Sequence, residues 1–153
     1  MDTRESLRNT VLDSAVGALF ARAGTRVEAS ANTPLLLEDP DSVWLVAEGL
    51  VNVFAVEVVD GSPAGPRSFL FAVGAGGILV GVEPEWAGAV GLLAVGTSGA
   101  ATVRAPSAAL RAAAPEARAA LDILLDDYVR AFSSAVSARG QPQADHLLAP
   151  GEG

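Results

Sequence analysis

The chain has 153 residues and a mass of 15.4 kDa, which suits one compact domain with a tail and excludes most two-domain enzymes. Half of its residues are hydrophobic and 18% are charged, at a mean hydropathy of +0.37, so a packed core is expected and a disordered chain is excluded. Ten Arg, no Lys and eighteen Asp plus Glu give a net charge of -8, the wrong sign for gathering backbone phosphates, which excludes nucleic acid as a direct partner.

From Thr3 to about Arg22 the apolar residues Leu7, Val11, Leu12, Ala15, Val16, Leu19 and Phe20 recur at steps of three and four. Asp2 with Glu5 has the form of a reciprocal N-cap pair, and the pattern predicts an amphipathic helix that stops near Gly24 and packs on its own domain. The opening MDTRESLRNT lacks the basic-then-apolar pattern of a signal peptide, and the chain has no Cys, so a cytoplasmic compartment without disulfides is expected.

Between Arg26 and Arg104 the texture changes to short runs of Val, Leu and Phe separated by Asn32-Thr33-Pro34, Asp39-Pro40-Asp41, Asp60-Gly61-Ser62-Pro63, Gly74-Ala75-Gly76-Gly77 and Gly96-Thr97-Ser98-Gly99. This predicts strands near 25–29, 34–37, 43–47, 50–59, 67–73, 78–82, 89–95 and 100–105, regular enough for a small barrel or jelly roll rather than βαβ units. Within 50–59 the partial alternation turns Asn52 and Glu57 outward and buries one face. Trp86 to Val103 is eighteen residues without a charge, the length of a spanning helix. Its glycines at 88, 91, 96 and 99, with Thr97, Ser98 and Thr102, lower helix propensity, and it reads instead as two short strands about a turn.

After Pro106 the pattern is helical again, with a short segment from Ser107 to Ala113 and a longer helix that has Pro115 in its first turn and ends near Ala138. Leu121, Leu124, Leu125, Tyr128, Val129, Phe132 and Val136 share one face, which suits packing on the barrel or a seam with a second copy. Gly140 to Gly153 has little periodicity and reads as a linker or tail.

No residue earns a catalytic role. His146 is the single histidine and sits in the tail, so neither a Ser-His-carboxylate triad nor a multi-His metal site can be assembled, and a cupin-like oxygenase is excluded with them. The carboxylates Glu83 and Glu85 flank Pro84, and Glu38, Asp39 and Asp41 surround Pro40. Pro-flanked acids in turns are ordinarily solvated, as are Asp122, Asp126 and Asp127 along a helix. Neither a metal nor a cofactor is expected in this chain. Gly74 to Gly81 matches no phosphate loop, because no Gly-Lys-Ser/Thr follows and Leu79 stands where GxGxxG needs its third Gly. Trp44 and Trp86 are lone aromatics among aliphatics, and packing is the plainer role for each.

An N-terminal helix, a β-roll and a closing helix pair resemble the cyclic-nucleotide-binding domain, and local strings agree with that layout. Ala47-Glu48-Gly49-Leu50-Val51-Asn52-Val53-Phe54 is similar to the family's turn and strand, Gly76 to Gly81 to the approach to its phosphate cassette, and Gly99-Ala100-Ala101-Thr102-Val103 to the cassette's end. The resemblance implies a mainly β fold with flanking helices: an N-terminal helix over 1–24, a β-roll with C-terminal helices over 25–139, and a linker over 140–153. It also implies a ligand pocket at Gly81, Val82, Gly99, Ala100, Ala101 and Thr102. The family's cassette carries a Gly-Glu for the ribose and an Arg for the cyclic phosphate. Here Val82 follows Gly81 and Gly99 takes the Arg position, while Glu83 is one residue displaced and turned to the other strand face. Loss of a charge-assisted contact of about 1.5 to 3 kcal/mol together with the ribose contact weakens binding by orders of magnitude, so the pocket is expected to be vestigial.

Asn32-Thr33-Pro34-Leu35-Leu36-Leu37-Glu38-Asp39-Pro40-Asp41-Ser42-Val43-Trp44, Val53-Phe54-Ala55-Val56, Gly65-Pro66-Arg67-Ser68-Phe69-Leu70-Phe71 and Leu147-Leu148-Ala149-Pro150-Gly151-Glu152 resemble the N-terminal region of ATP-binding cassette exporters of nitrile-hydratase-leader-type bacteriocins. That resemblance implies a non-catalytic cytoplasmic accessory domain at the inner face of the membrane. Its partners would be the exporter's transmembrane and ATPase domains and a precursor or leader peptide. A homodimer or docking interface at Leu121, Leu125, Tyr128 and Phe132 goes with it. The alternative is a stand-alone sensor for a cyclic nucleotide or another small ligand.

Overall fold

The computed structural model describes residues 15–30, 32–83 and 90–148, with side chains described through residue 138. Helix α1 (Ala15–Ala23) leads into strands β1 (Thr25–Glu28), β2 (Leu35–Leu36), β3 (Ser42–Glu48) and β4 (Leu50–Val59). Strands β5 (Ser62–Gly74), β6 (Ile78–Val80), β7 (Val90–Gly96) and β8 (Ala101–Pro106) follow, and helices α2 (Ser107–Arg111) and α3 (Pro115–Leu148) close the order. The expected N-cap pair and the apolar positions Leu7, Val11 and Leu12 lie outside the described residues, as do Glu85 and Trp86.

Among the described residues all strands pair antiparallel in two four-stranded sheets, ordered β1-β8-β3-β6 and β2-β7-β4-β5, so the mainly β roll with flanking helices is what the chain forms. The expected turn at 60–63 is tighter than the sequence implied. Asp60 (φ 52) and Gly61 (φ 77) alone make it, and Val59 pairs directly with Ser62. Two successive left-handed residues give the turn whose twist matches that of the flanking strands. β5 therefore begins at Ser62 and not near 67, through Pro63 and Pro66. Both prolines are tolerated because β5 is an edge strand, with one side free of ladder partners. Register shifts along β4 and β5 leave Val51, Val53 and Val56 buried and Glu57 exposed.

Strand β3 lies between β8 and β6, and its alternate residues serve two surfaces. Val43 and Leu45 pair with Ala105 and Val103, and Val103 meets Gly24 at the end of α1, so this face is covered by the helices. Trp44 and Val46, with Leu79, Thr102 and Arg104 beside them, turn toward the second sheet. Apolar burial on both faces explains why Ser42 to Val46 is continuously buried rather than alternating.

The three helices among the described residues cap this roll. Val16, Leu19 and Phe20 of α1 are buried, and the Gly24 N–H donates to the Phe20 carbonyl at 2.8 Å to end the helix where expected. Along α3, Ala117, Leu121 and Tyr128 are buried, and Leu124, Leu125, Phe132 and Ala135 pack against the core. Its backbone stays helical past the expected stop near Ala138, through Gly140 and Pro142, to Leu148. Gly and Pro weaken or kink a helix without always ending it. Among the described residues no helix is long and apolar enough to cross a membrane, and Val90–Gly96 and Ala101–Pro106 are two strands about a turn.

Candidate functional site

The six residues expected to line one pocket fall into two groups at opposite ends of the β3 sheet. Gly81 follows β6 directly and is buried against the 39–41 loop. A Cβ there would stand 2.6 Å from the Asp39 carbonyl oxygen and 3.0 Å from its carbon, so only glycine fits. The next N–H, that of Val82, donates to the Leu37 carbonyl at 2.9 Å, and the Val82 side chain packs against the core.

Gly99, with φ +82 and open space around it, turns the chain from β7 into β8, where Ala100 packs against Gly49 and Gly96. Ala101 and Thr102 belong to β8, and the buried Thr102 hydroxyl donates to the Val27 carbonyl at 2.8 Å. Val80 is level with Val43 on β3 whereas Thr102 is level with Val46. Gly81 lies one residue further out, so about four residues, or ~13 Å, separate the two groups along the strand. The Ala-Thr-Val string sits in β8, between β1 and β3, while the chain after Gly81 goes on to β7 in the other sheet.

An arginine unmarked by any sequence pattern stands at the Gly81 end. Arg104 donates from Nη2 to Asp39 Oδ2 at 2.8 Å and from Nε to Ser42 Oγ at 2.9 Å, and its guanidinium lies 5.6 Å from the centre of the Trp44 ring. Ser42 Oγ in turn donates to Asp39 Oδ2 at 2.8 Å, and the Asp41 N–H to Asp39 Oδ1 at 2.9 Å. The Asp41 N–H foremost, then Ser42, and the Arg104 charge after them, hold the Asp39 carboxyl below its ordinary 3.8 against the opposing pull of burial. Asp39 is thus a structural acid rather than a free turn carboxylate, and the Arg104 cation is already engaged by the chain's own groups.

Tyr128 joins α3 to the roll. Its hydroxyl donates to the Val80 carbonyl at 3.0 Å, one residue before Gly81, and its ring meets Phe71 edge-on at 5.5 Å. Burial pushes the phenol up to about 12. Leu121 and Tyr128 are buried against their own roll, and Leu125 and Phe132 are half-covered by it. Among the described residues, the large apolar side chains that α3 leaves exposed are Ile123, Val129 and Val136.

Between the helix-covered face of the sheet and the helices lies an open cleft of about 280 Å³. Val43, Val80, Leu110, Leu121 and Leu125 make its apolar walls, and Arg111, Arg118 and Asp122 stand at its polar edge. Among the described residues no three His, Cys, Asp or Glu side chains are grouped to hold a metal.

These features define a cyclic-nucleotide-binding-like β-roll fold. Among solved structures the chain is similar to a CooA mutant from Carboxydothermus hydrogenoformans at 14% identity and a TM-score of 0.56, over 92% of this chain and 93% of that one. It is also similar to a crp/fnr-family transcriptional regulator from Eubacterium rectale at 8% identity and a TM-score of 0.50, over 81% of this chain and 58% of that one. Oxidized CprK in complex with o-chlorophenolacetic acid matches at 13% identity and a TM-score of 0.50, over 87% of this chain and 51% of that one. The chain thus spans just over half the length of the last two. No protein-family model and no curated protein matches it. None of these likenesses bears on an exporter.

Proposed function

We propose that this chain is a non-catalytic regulatory domain that senses a small molecule other than a cyclic nucleotide and passes its state to α3. The observation that carries this reading is the Tyr128–Val80 hydrogen bond, which ties the long helix to the strand running into the Gly81–Val82 segment. A ligand that displaced that strand would move the helix with it. Against a cyclic phosphate, Val82 follows Gly81 where an acid would be needed, and Arg104 is held by Asp39 and Ser42. The fold shared with CprK, whose solved complex holds o-chlorophenolacetic acid, agrees with a ligand of another class. Calorimetric titration of the chain with cyclic AMP and cyclic GMP is expected to give no binding heat up to millimolar ligand. A micromolar Kd for either would overturn the exclusion of cyclic nucleotides.

A homodimer across α3 belongs to the same proposal. Leu121, Leu125, Tyr128 and Phe132 serve the chain's own core, so a second copy would cover Val129 and Val136, 56% and 48% exposed beside Phe132. Light scattering is expected to report a dimer for the intact chain and a monomer for V129D/V136D, and a monomeric parent chain would remove this element.

The exporter strings at 32–44, 53–56 and 65–71 favour a second reading, in which the domain docks on transmembrane and ATPase domains at the inner face of the membrane or receives a leader peptide. A reading frame that continues past Gly153 into membrane segments and a Gly-Lys-Ser/Thr loop would select it.

A further inference from the structure

We propose that the cleft beneath α2 and α3 binds a small monoanionic amphiphile, its carboxylate held by Arg111 and Arg118 and its hydrocarbon laid against Val43, Val80 and Leu121. This site lies on the outer, helix-covered face of the roll and does not rest on the functional reading above.

The cleft's volume of about 280 Å³ is close to the lower bound of ordinary small-molecule sites, roughly 300 Å³. Its walls come from four separate elements: Val43 from β3, Val80 from β6, Leu110 from α2, and Leu121 with Leu125 from α3. Apolar walls with a few polar groups at one edge are how small-ligand sites combine affinity with orientation. A neutral hydrocarbon would use only the walls.

The polar edge selects the charge. Arg26, Arg104 and Arg130 are each engaged by an acid, Glu48, Asp39 and Asp126 respectively. The guanidiniums of Arg111 and Arg118 make no ion pair or hydrogen bond with any described residue, although the chain as a whole carries a net charge of -8. Two arginines with uncommitted guanidiniums among the lining of one largely apolar cleft, in an acidic protein, suit a carboxylate, which the planar guanidinium can grip with two parallel hydrogen bonds. Asp122 at the same edge leaves a surplus of one positive charge, which suits a monoanion over a dianion. Ser107 is not part of the grip, because its hydroxyl donates to the Asp41 carbonyl at 2.9 Å.

Octanoate is the probe, with 1-octanol and acetate as partial probes lacking the charge or the chain. In titrations followed by calorimetry or amide chemical shifts, octanoate is expected to bind at least about tenfold more tightly than either. The R111Q/R118Q variant is expected to bring octanoate down to the level of 1-octanol, with octanol binding and the thermal midpoint unchanged, since both side chains are exposed and without partners among the described residues. Absence of octanoate binding, equal binding of octanoate and octanol, equal binding of octanoate and acetate, or octanoate binding that survives in R111Q/R118Q would each overturn the proposal.

Discussion

Replacing Gly96 with alanine is expected to cost the domain about 3 kcal/mol or more, at the upper end of what overpacking one methyl into a closed site does. Gly96 is the buried last residue of β7, and a Cβ there would press into the Ala29 carbonyl and stand 2.6 Å from the Ala100 Cβ. The obstacle is backbone, so no rotamer change relieves it. Ala29 follows β1 and is itself fully buried, and Ala100 leads into β8, so pushing either one strains the β1–β8 pairing. Gly99, three residues on, is the internal control. A methyl added there would meet nothing within 4 Å, but its φ is +82, so Gly99→Ala bears only the left-handed strain, about 1–2 kcal/mol. Urea midpoints of the two variants, measured at constant m-value, should separate clearly. Equal midpoints would mean that the Ala29 and Ala100 backbone gives way and that close approach does not hold Gly96 in place.

Why Gly96 is irreplaceable is not legible in the sequence, although that a turn begins there is. Turn chemistry is local: Gly49 before β4 and Asp60-Gly61 after it bracket the strand, and the expected 50–59 coincides with Leu50–Val59. β5 departs from expectation because Pro63 is read as a turn residue unless the strand is known to be an edge, and edges are a property of the whole sheet. The pocket residues show the same limit more sharply. Gly99-Ala100-Ala101-Thr102-Val103 has the composition of a cassette's end, but which strand it enters is set by pairing with β1 and β3, residues 101–106 against 25–28 and 42–48. The Arg104–Asp39 pair spans 65 positions, and the cleft draws on residues from 40 to 125. No periodicity carries such pairings. Helical spacing places Tyr128 on the apolar face of α3, and only the structure shows that its hydroxyl ends on the Val80 carbonyl.

Tyr128 should also govern how the domain responds to alkali. The phenol's ordinary value is 10.0 and burial raises it to about 12 in the folded chain. A folded value above the unfolded one means that the native state holds its proton more tightly. The stabilisation is complete below pH 10 and is lost as pH climbs toward 12. Two units correspond to roughly 3 kcal/mol. The composition makes the assignment unusually clean, since the chain has one Tyr, no Cys and no Lys. Phenolate absorbance and denaturation midpoints followed together from pH 9 to 12 should therefore change in step. In Tyr128→Phe the alkaline loss should vanish, while at neutral pH the variant should be about 1–3 kcal/mol less stable, because the Val80 carbonyl loses its donor in a buried site. The aromatic contact with Phe71 is retained in that variant, so the difference isolates the hydroxyl. If the hydroxyl also couples helix to strand, amide exchange in Tyr128→Phe should accelerate both at 78–80 and along α3 beyond residue 128. Acceleration confined to one of the two would separate the phenol's contribution to stability from any part in signalling.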